Sequence, residues 1–368
     1  MAGPLSGIKL VEFAGIGPGP FCGMILADLG AEVIRVDRAS QHGRGNTIDF
    51  QHRSKLSLSA DLKNPKTIEE IKKLLASVDG LIEGFRPGVM ERLGLGPQEC
   101  LKINSNLVFG RMTGWGQEGP LAKTAGHDIN YISLTGALEL MGRKGETPPP
   151  PLNLVGDFGG GGMFLALGIV SALLHVKQGG KGQVVDAAMV DGASVLMSMF
   201  YAFKASGFWL EERESNMLDG GAHFYDSYEC ADGKFIAIGA IEPQFYAVLL
   251  EKLEIVDDKF QNQHDREKWP ELKKIIKNKI KEKTRDEWAK IFDGTDACVA
   301  PVLNLSEAPE HHHMKARNSF VEIDGTLQPA PAPRFSVTST KIKHSALKAG
   351  QNNDEICEAY NLDRSCFS

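Results

Sequence analysis

The chain has 368 residues, of which 42% are apolar and 24% charged, so it is long enough for two globular domains and shows no fibrous or disordered bias. Its net charge of -6 excludes a dominant basic surface and, with it, nucleic acid as a main partner. Cys22, Cys100, Cys230, Cys298, Cys357 and Cys366 are scattered without a Cys-x-x-Cys pair, which argues against a disulfide framework or a zinc knuckle and fits a reducing compartment.

In chain order, Ile8 to Phe13 reads as a buried strand, Gly15 to Pro20 as a turn, Phe21 to Leu29 as a helix and Glu32 to Asp37 as a second strand. Leu81 to Glu83 and Leu107 to Arg111 read as further short strands between helical stretches, an alternation that predicts a parallel α/β sheet. Asn153 to Ala172 and Gln183 to Ala188 add a turn, a helix and a strand. Met163 to Leu174, the longest apolar stretch, is too short to span a bilayer, and the N-terminus has no signal-peptide pattern, so a soluble protein without a membrane partner is expected.

After Phe224 the pattern changes. Phe224 to Glu229 and Lys234 to Gly239 flank an Ala-Asp-Gly turn as a hairpin. Helices follow at Pro243 to Leu253, Trp269 to Lys283 and Arg285 to Phe292, the last with Thr284 and Glu287 spaced as a capping box. A proline-rich linker at Pro329 to Pro333 precedes a last helix, Asn353 to Tyr360. The expected fold is α/β, a large Rossmann-like parallel-sheet domain plus a smaller α/β domain. The large domain takes 1–190 with a C-terminal return at 330–368, the small domain 224–310, and 191–223 and 311–329 are linkers.

Gly15-Ile16-Gly17-Pro18-Gly19-Pro20 stands where a nucleotide-binding turn belongs, but Pro20 replaces the third glycine of Gly-x-Gly-x-x-Gly. Asp37 has the position of a ribose-binding acid, while Arg38, Arg44, Arg53 and Lys55 suit a nucleotide that carries phosphate, so NADP and CoA both qualify. A tight turn followed by a solvated basic loop is the plain alternative. His127 falls at the first turn of a helix, which favours the neutral imidazole and so a proton acceptor; simple capping by His127 and Asp128 is the other reading. Asp157 is again near a helix start. The glycines Gly159 to Gly162 after it have no capping purpose, so a close backbone approach is expected, with a thioester oxygen as one candidate for amides that would stabilise an enolate. Glu242, between a strand end and a helix, is either a first-turn charge or a carboxylate that orients a histidine. His311, His312 and His313 lack the spacing of a zinc site, and no metal is expected.

The segments Gly15 to Phe21, Val33 to Arg38, Gly126 to Tyr131, Pro151 to Gly162, Asn216 to Ala222, Ala240 to Tyr246 and Asp293 to Leu303 together resemble the α-methylacyl-CoA racemases, within the class III CoA-transferase family, over nearly the whole chain. The resemblance implies two-domain subunits interlocked as a homodimer, and an isomerase that interconverts (2R)- and (2S)-2-methylacyl-CoA thioesters by two-base 1,1-proton transfer through an enolate. It implies His127 and Asp157 as the acid/base pair, His127 acting on the S enantiomer and Asp157 on the R, with Glu242 reached from the partner subunit and bonded to His127. It assigns Arg38 and the basic loop of Arg44, Arg53 and Lys55 to the CoA phosphates, Ala60, Asp61, Leu62, Lys63, Gly84, Phe85 and Arg86 to the nucleotide end, and Arg92 to a further phosphate. Gly126, Asp128, Ile129, Asn130 and Tyr131, with Asn153, take the pantetheine and thioester. No cofactor is implied, because CoA arrives within the substrate.

Two rivals remain at this point. A class III CoA-transferase would use Asp157 as a nucleophile on the thioester; an NADP-dependent dehydrogenase would use the first turn and Arg38, against the incomplete glycine pattern. The expected location is intracellular, in a peroxisome or mitochondrion of a eukaryote or the cytoplasm of a bacterium. Animal members often end in a peroxisomal signal, and Arg364-Ser365-Cys366-Phe367-Ser368 is not one.

Overall fold

Six parallel strands organise the first of two units in the computed structural model, which describes residues 3–368. They are β1 (Lys9–Phe13), β2 (Glu32–Arg38), β3 (Leu56–Ala60), β4 (Gly80–Glu83), β5 (Val108–Thr113) and β6 (Val184–Ala188), in the order β3-β2-β1-β4-β5-β6. Strands of a parallel sheet are covered on both faces and so need near-continuous apolar runs; Leu10, Val11, Ile34, Leu58, Leu81 and Phe109 are accordingly buried. Leu10 lies opposite Val33 of β2 and Gly80 of β4. The chain reverses its winding between β1 and β4, and in such sheets ligands enter the crevice at the C-terminal strand ends at that point. The Gly15 to Pro20 turn and the segment Gly84 to Arg86 leave from those two ends.

The first helix, Pro18–Asp28, starts three residues before Phe21, inside the expected turn, with Pro18 at the position where a missing N–H costs nothing. Pro65–Ala76 buries Ile68, Ile71, Leu74 and Leu75 along one stripe. β3, the edge of the sheet, is covered by the end of the chain. Asn352 and Asn353 accept from the Ser57 and Ser59 amides at 3.0 and 2.9 Å, and Ala60 bridges Phe367. A hairpin of β10 (Phe320–Ile323) and β11 (Thr326–Pro329) belongs to this unit as well.

The second unit carries an antiparallel sheet of β7 (Tyr225–Glu229), β8 (Phe235–Gly239) and β9 (Val299–Pro301). Its core joins Phe224, Tyr228, Ile236, Leu249, Trp269 and Trp288. Helix Trp269–Ile280 buries Leu272, Ile276 and Ile280, and Arg285–Phe292 begins at the expected capping box of Thr284 and Glu287.

The unit boundaries differ from the sequence expectation. The first unit takes residues up to Thr135, Pro151–Met197 and Lys315–Ser368; the second takes Gly136–Pro150 and Ser198–Met314. The stretch 191–223 is no linker, because Met189–Leu196 and Ser198–Ala205 are helices, one in each unit. The return begins at 315, not 330, since the β10 and β11 hairpin lies within the other presumed linker.

Candidate active site

Asp157 lies in Leu154–Gly162, a wide π-helical segment that runs directly into the helix Met163–Lys177. Such bulges recur at functional sites because they turn side chains out of the regular α-helical row. The four glycines are therefore inside a helix and do not form a loop in front of one, which corrects the expectation of amides free to meet an enolate. The close approach they permit is internal. A β-carbon on Gly160 would stand 2.6 Å from Ala193 N, one on Gly161 2.8 Å from Met189 Cγ, and one on Gly162 2.7 Å from Phe21 Cδ1. With the glycines included, 154–177 is longer than the Met163 to Leu174 stretch, and by length and composition it is apolar enough to cross a membrane; it packs as a core helix, burying Leu165, Ala166, Ile169, Ala172 and Leu173.

Asp157 is half-buried. Asn153 Nδ2 donates to its Oδ2 at 3.3 Å, and its backbone N–H donates to Asp128 Oδ1 at 2.6 Å. Gly17, in the turn after β1, comes so near that a β-carbon there would lie 3.1 Å from Asp157 Oδ2; its φ of 71° also favours glycine. Burial above all, together with the Asp128 charge, holds the Asp157 carboxyl above the usual carboxylate range, against the Asn153 bond and the nearby His127. His127 is the exposed N-cap of helix Asp128–Ser133, one residue before the expected first turn, and its backbone N–H donates to Asn130 Oδ1 at 3.0 Å. An exposed imidazole thus lies within electrostatic reach of a half-buried carboxyl whose burial opposes its ionisation.

The segment 126–131 is split by orientation. His127, Ile129 and Asn130 are exposed, whereas Asp128 and Tyr131 are buried. The Tyr131 hydroxyl donates to the Gly126 carbonyl, and its ring meets Trp115 edge-on at 4.8 Å, so Tyr131 locks the loop from within. Glu242, in the second unit, is the exposed N-cap of helix Pro243–Lys252.

The basic residues divide sharply. Arg38 and Arg44 are exposed, Arg38 at the C-terminal end of β2. Arg53 is buried, ion-paired to Asp28 at 2.5 Å and bonded to Gln328 and the Pro329 carbonyl. Lys55 is fully buried, 2.6 Å from Glu12 and 2.9 Å from the Pro20 carbonyl. Neither reaches for a phosphate: tertiary carboxylates, invisible in local sequence, claim both. Asp37 is likewise engaged, accepting from Arg35 Nε at 2.8 Å and Ser57 Oγ at 2.6 Å, which removes it as a ribose ligand.

Beyond β4, Arg86 and Arg92 line a cleft of about 400 Å³ with Pro87, Gly88, Val89 and Lys123. None of these three cations has a carboxylate partner among the described residues. Sequence reasoning missed Lys123, which arrives from the loop between β5 and His127 and has no motif of its own. Ala60 ends β3 and is buried, Leu62 packs against the core and Phe85 sits 6.1 Å from Phe13; Asp61, Lys63 and Gly84 are exposed. His312 and His313 are exposed, and no group of three or more potential metal ligands occurs among the described residues.

A doubly wound sheet thus carries a half-buried carboxyl beside the turn after β1 and an open cationic cleft beyond β4. Residues 5–353 match CoA-transferase family III, and the chain belongs to that family. It is 46% identical to mouse α-methylacyl-CoA racemase and 45% identical to the human one, over 98% of this chain and 94% of each relative. A solved CaiB/BaiF family protein from Brucella suis superimposes with a TM-score of 0.84 at 25% identity, covering 98% of this chain and all of its own.

Proposed function

We propose that the chain is an isomerase that racemises 2-methylacyl-CoA thioesters. The observation that carries this is the pairing of exposed His127 with an Asp157 that resists ionisation. An α-proton beside a thioester is weakly acidic, and inversion calls for one group to take it while a second, already protonated, delivers from the other face. His127 removes the α-proton of the S enantiomer to give the enolate, and Asp157 returns its own proton to the opposite face. The R enantiomer runs the same steps backward. A transferase would instead need Asp157 to attack the thioester carbonyl and form a covalent adduct, with no part for the His127 imidazole.

Arg86, Arg92 and Lys123, with Arg38, are the cations we assign to the CoA phosphates, and no separate cofactor is called for. The active form in this reading is a homodimer with Glu242 supplied by the partner to His127. Exposed Met163, Leu167 and Leu174 along one helix, and Leu196 on another, support an apolar interface on this unit. The acyl chains in this reading are methyl-branched fatty acyl groups or bile-acid intermediates, within lipid metabolism. Six free cysteines support an intracellular compartment.

The test is one enantiomer of a 2-methylacyl-CoA in deuterated water, followed by NMR and chiral analysis. Racemisation predicts deuterium at the α-carbon of both enantiomers. Retention of the proton with CoA passing to an added carboxylic acid would establish the transferase instead.

A further inference from the structure

An aspartate in the first turn of a short helix ordinarily faces water, where it complements the helix end. Asp128 does not. It is 7% exposed, its Oδ1 accepts the Asp157 backbone N–H at 2.6 Å, and its Oδ2 is buried with no hydrogen-bond partner among the described residues. The neighbouring helix is shaped to admit it. A β-carbon on Gly156 would stand 2.5 Å from Asp128 Oδ1, so only glycine there lets this carboxyl reach the Asp157 amide. Placing an acid against another acid in a buried site costs stability, and the fold keeps both.

We propose that Asp128 is a positioning residue for the proton relay: its buried carboxyl clamps the Asp157 backbone and stands beside the Asp157 carboxyl, biasing which member of the His127 and Asp157 pair holds the proton. The proposal rests on the two-base reading above and adds a group that holds one of the two bases in place. The surroundings of Asp157 supply few competing charges. His127 faces it and favours its ionised form, Asn153 donates to it, and Asp128 opposes both. Tyr131, on the helix that Asp128 begins, is held neutral chiefly by burial, with Asp157 and Asp128 adding to this and Arg86 working against it. The turn from Ala14 to Pro20 brings no charge, and Asp191, on the packed helix Met189–Leu196, acts on Asp186.

The sign follows from proton counting. The active pair holds one proton between His127 and Asp157, and activity falls at acid pH when a second proton binds. A raised Asp157 brings that acid limb to higher pH, so removing the Asp128 charge moves it lower.

The experiment is a ¹³C-carboxyl NMR titration of Asp157 in the full chain, with α-proton exchange of a single-enantiomer 2-methylacyl-CoA measured over the same pH range. Asp128→Asn keeps an oxygen for the Asp157 amide but loses the charge. Gly156→Ala keeps every charge, crowds Asp128 away, and carries the test if Asp128→Asn fails to fold. Both variants are expected to lower the Asp157 midpoint and the acid limb together, with kcat for the S enantiomer reduced severalfold at neutral pH and KM little changed. An unmoved midpoint and limb beside normal exchange would overturn the proposal alone. Absence of exchange from the parent protein at every pH would remove the two-base reading and the relay with it, whatever the titration shows.

Discussion

Arg53 and Lys55 differ from Arg86, Arg92 and Lys123 in what stands opposite them. The first two are sealed against Asp28 and Glu12 in the interior of the first unit. The other three line an open cleft and find no carboxylate among the described residues. All five are the same kind of side chain in the same stretch of α/β sequence. The difference teaches that a cation's role is fixed by whether the fold has already supplied its anion, so a basic loop in a sequence marks a ligand site only where no internal acid reaches it.

The comparison breaks most forcefully at Lys55. Lys55→Ala leaves the Glu12 carboxylate buried without its partner and should destabilise the protein by about 3–5 kcal/mol, read from denaturant unfolding. A loss near zero would mean that the pair is not a structural one.

Acid sharpens the same contrast. Burial first, then the Lys55 and Arg35 charges, push His52 down from 6.5 to about 2. Below pH 6.5 the unfolded chain takes up a proton there that the folded chain refuses, so this histidine's share of stability is lost as pH falls from about 6.5 toward about 2. At pH 5 the loss is about 2 kcal/mol, and His52→Gln should flatten that part of the stability profile.

On the open side, Arg92→Ala should raise KM for an acyl-CoA about tenfold, the loss of one charge-assisted phosphate contact. Its stability should change by no more than about 0.5 kcal/mol. An acyl-pantetheine thioester, which lacks the phosphates, should show no difference between parent and variant. Lys123→Ala is the smallest effect, roughly threefold in KM and fading with added salt as an exposed contact does. A KM unchanged in both variants would place the phosphates elsewhere.

Much of this was legible in the sequence wherever a local pattern dictated the outcome. The first β-turn-α-β unit and the Thr284 capping box followed from spacing, and helix Asn353–Tyr360 came out with its observed ends. β3 was not legible, because its alternating serines look solvent-facing. Ser57 and Ser59 are in fact buried, satisfied by Asn352, Asn353 and Ser368 from the far end of the chain. The glycines of 159–162 misled for a similar reason: their packing partners lie on helices Pro18–Asp28 and Met189–Leu196, and only contact with those makes a glycine run helical. His127 and Asp157 were singled out as residues, but that Asp128 joins them through a buried carboxyl required the fold.

The central claim is that two groups on opposite faces of one carbon divide the work, and single-base variants test it most directly. Each variant would be given pure S or pure R 2-methylacyl-CoA in deuterated water, and α-deuteration and inversion would be scored separately. The account predicts that Asp157→Ala still exchanges the S enantiomer without inverting it, that His127→Ala does so only with the R enantiomer, and that neither racemises. Full racemisation by either variant would contradict it.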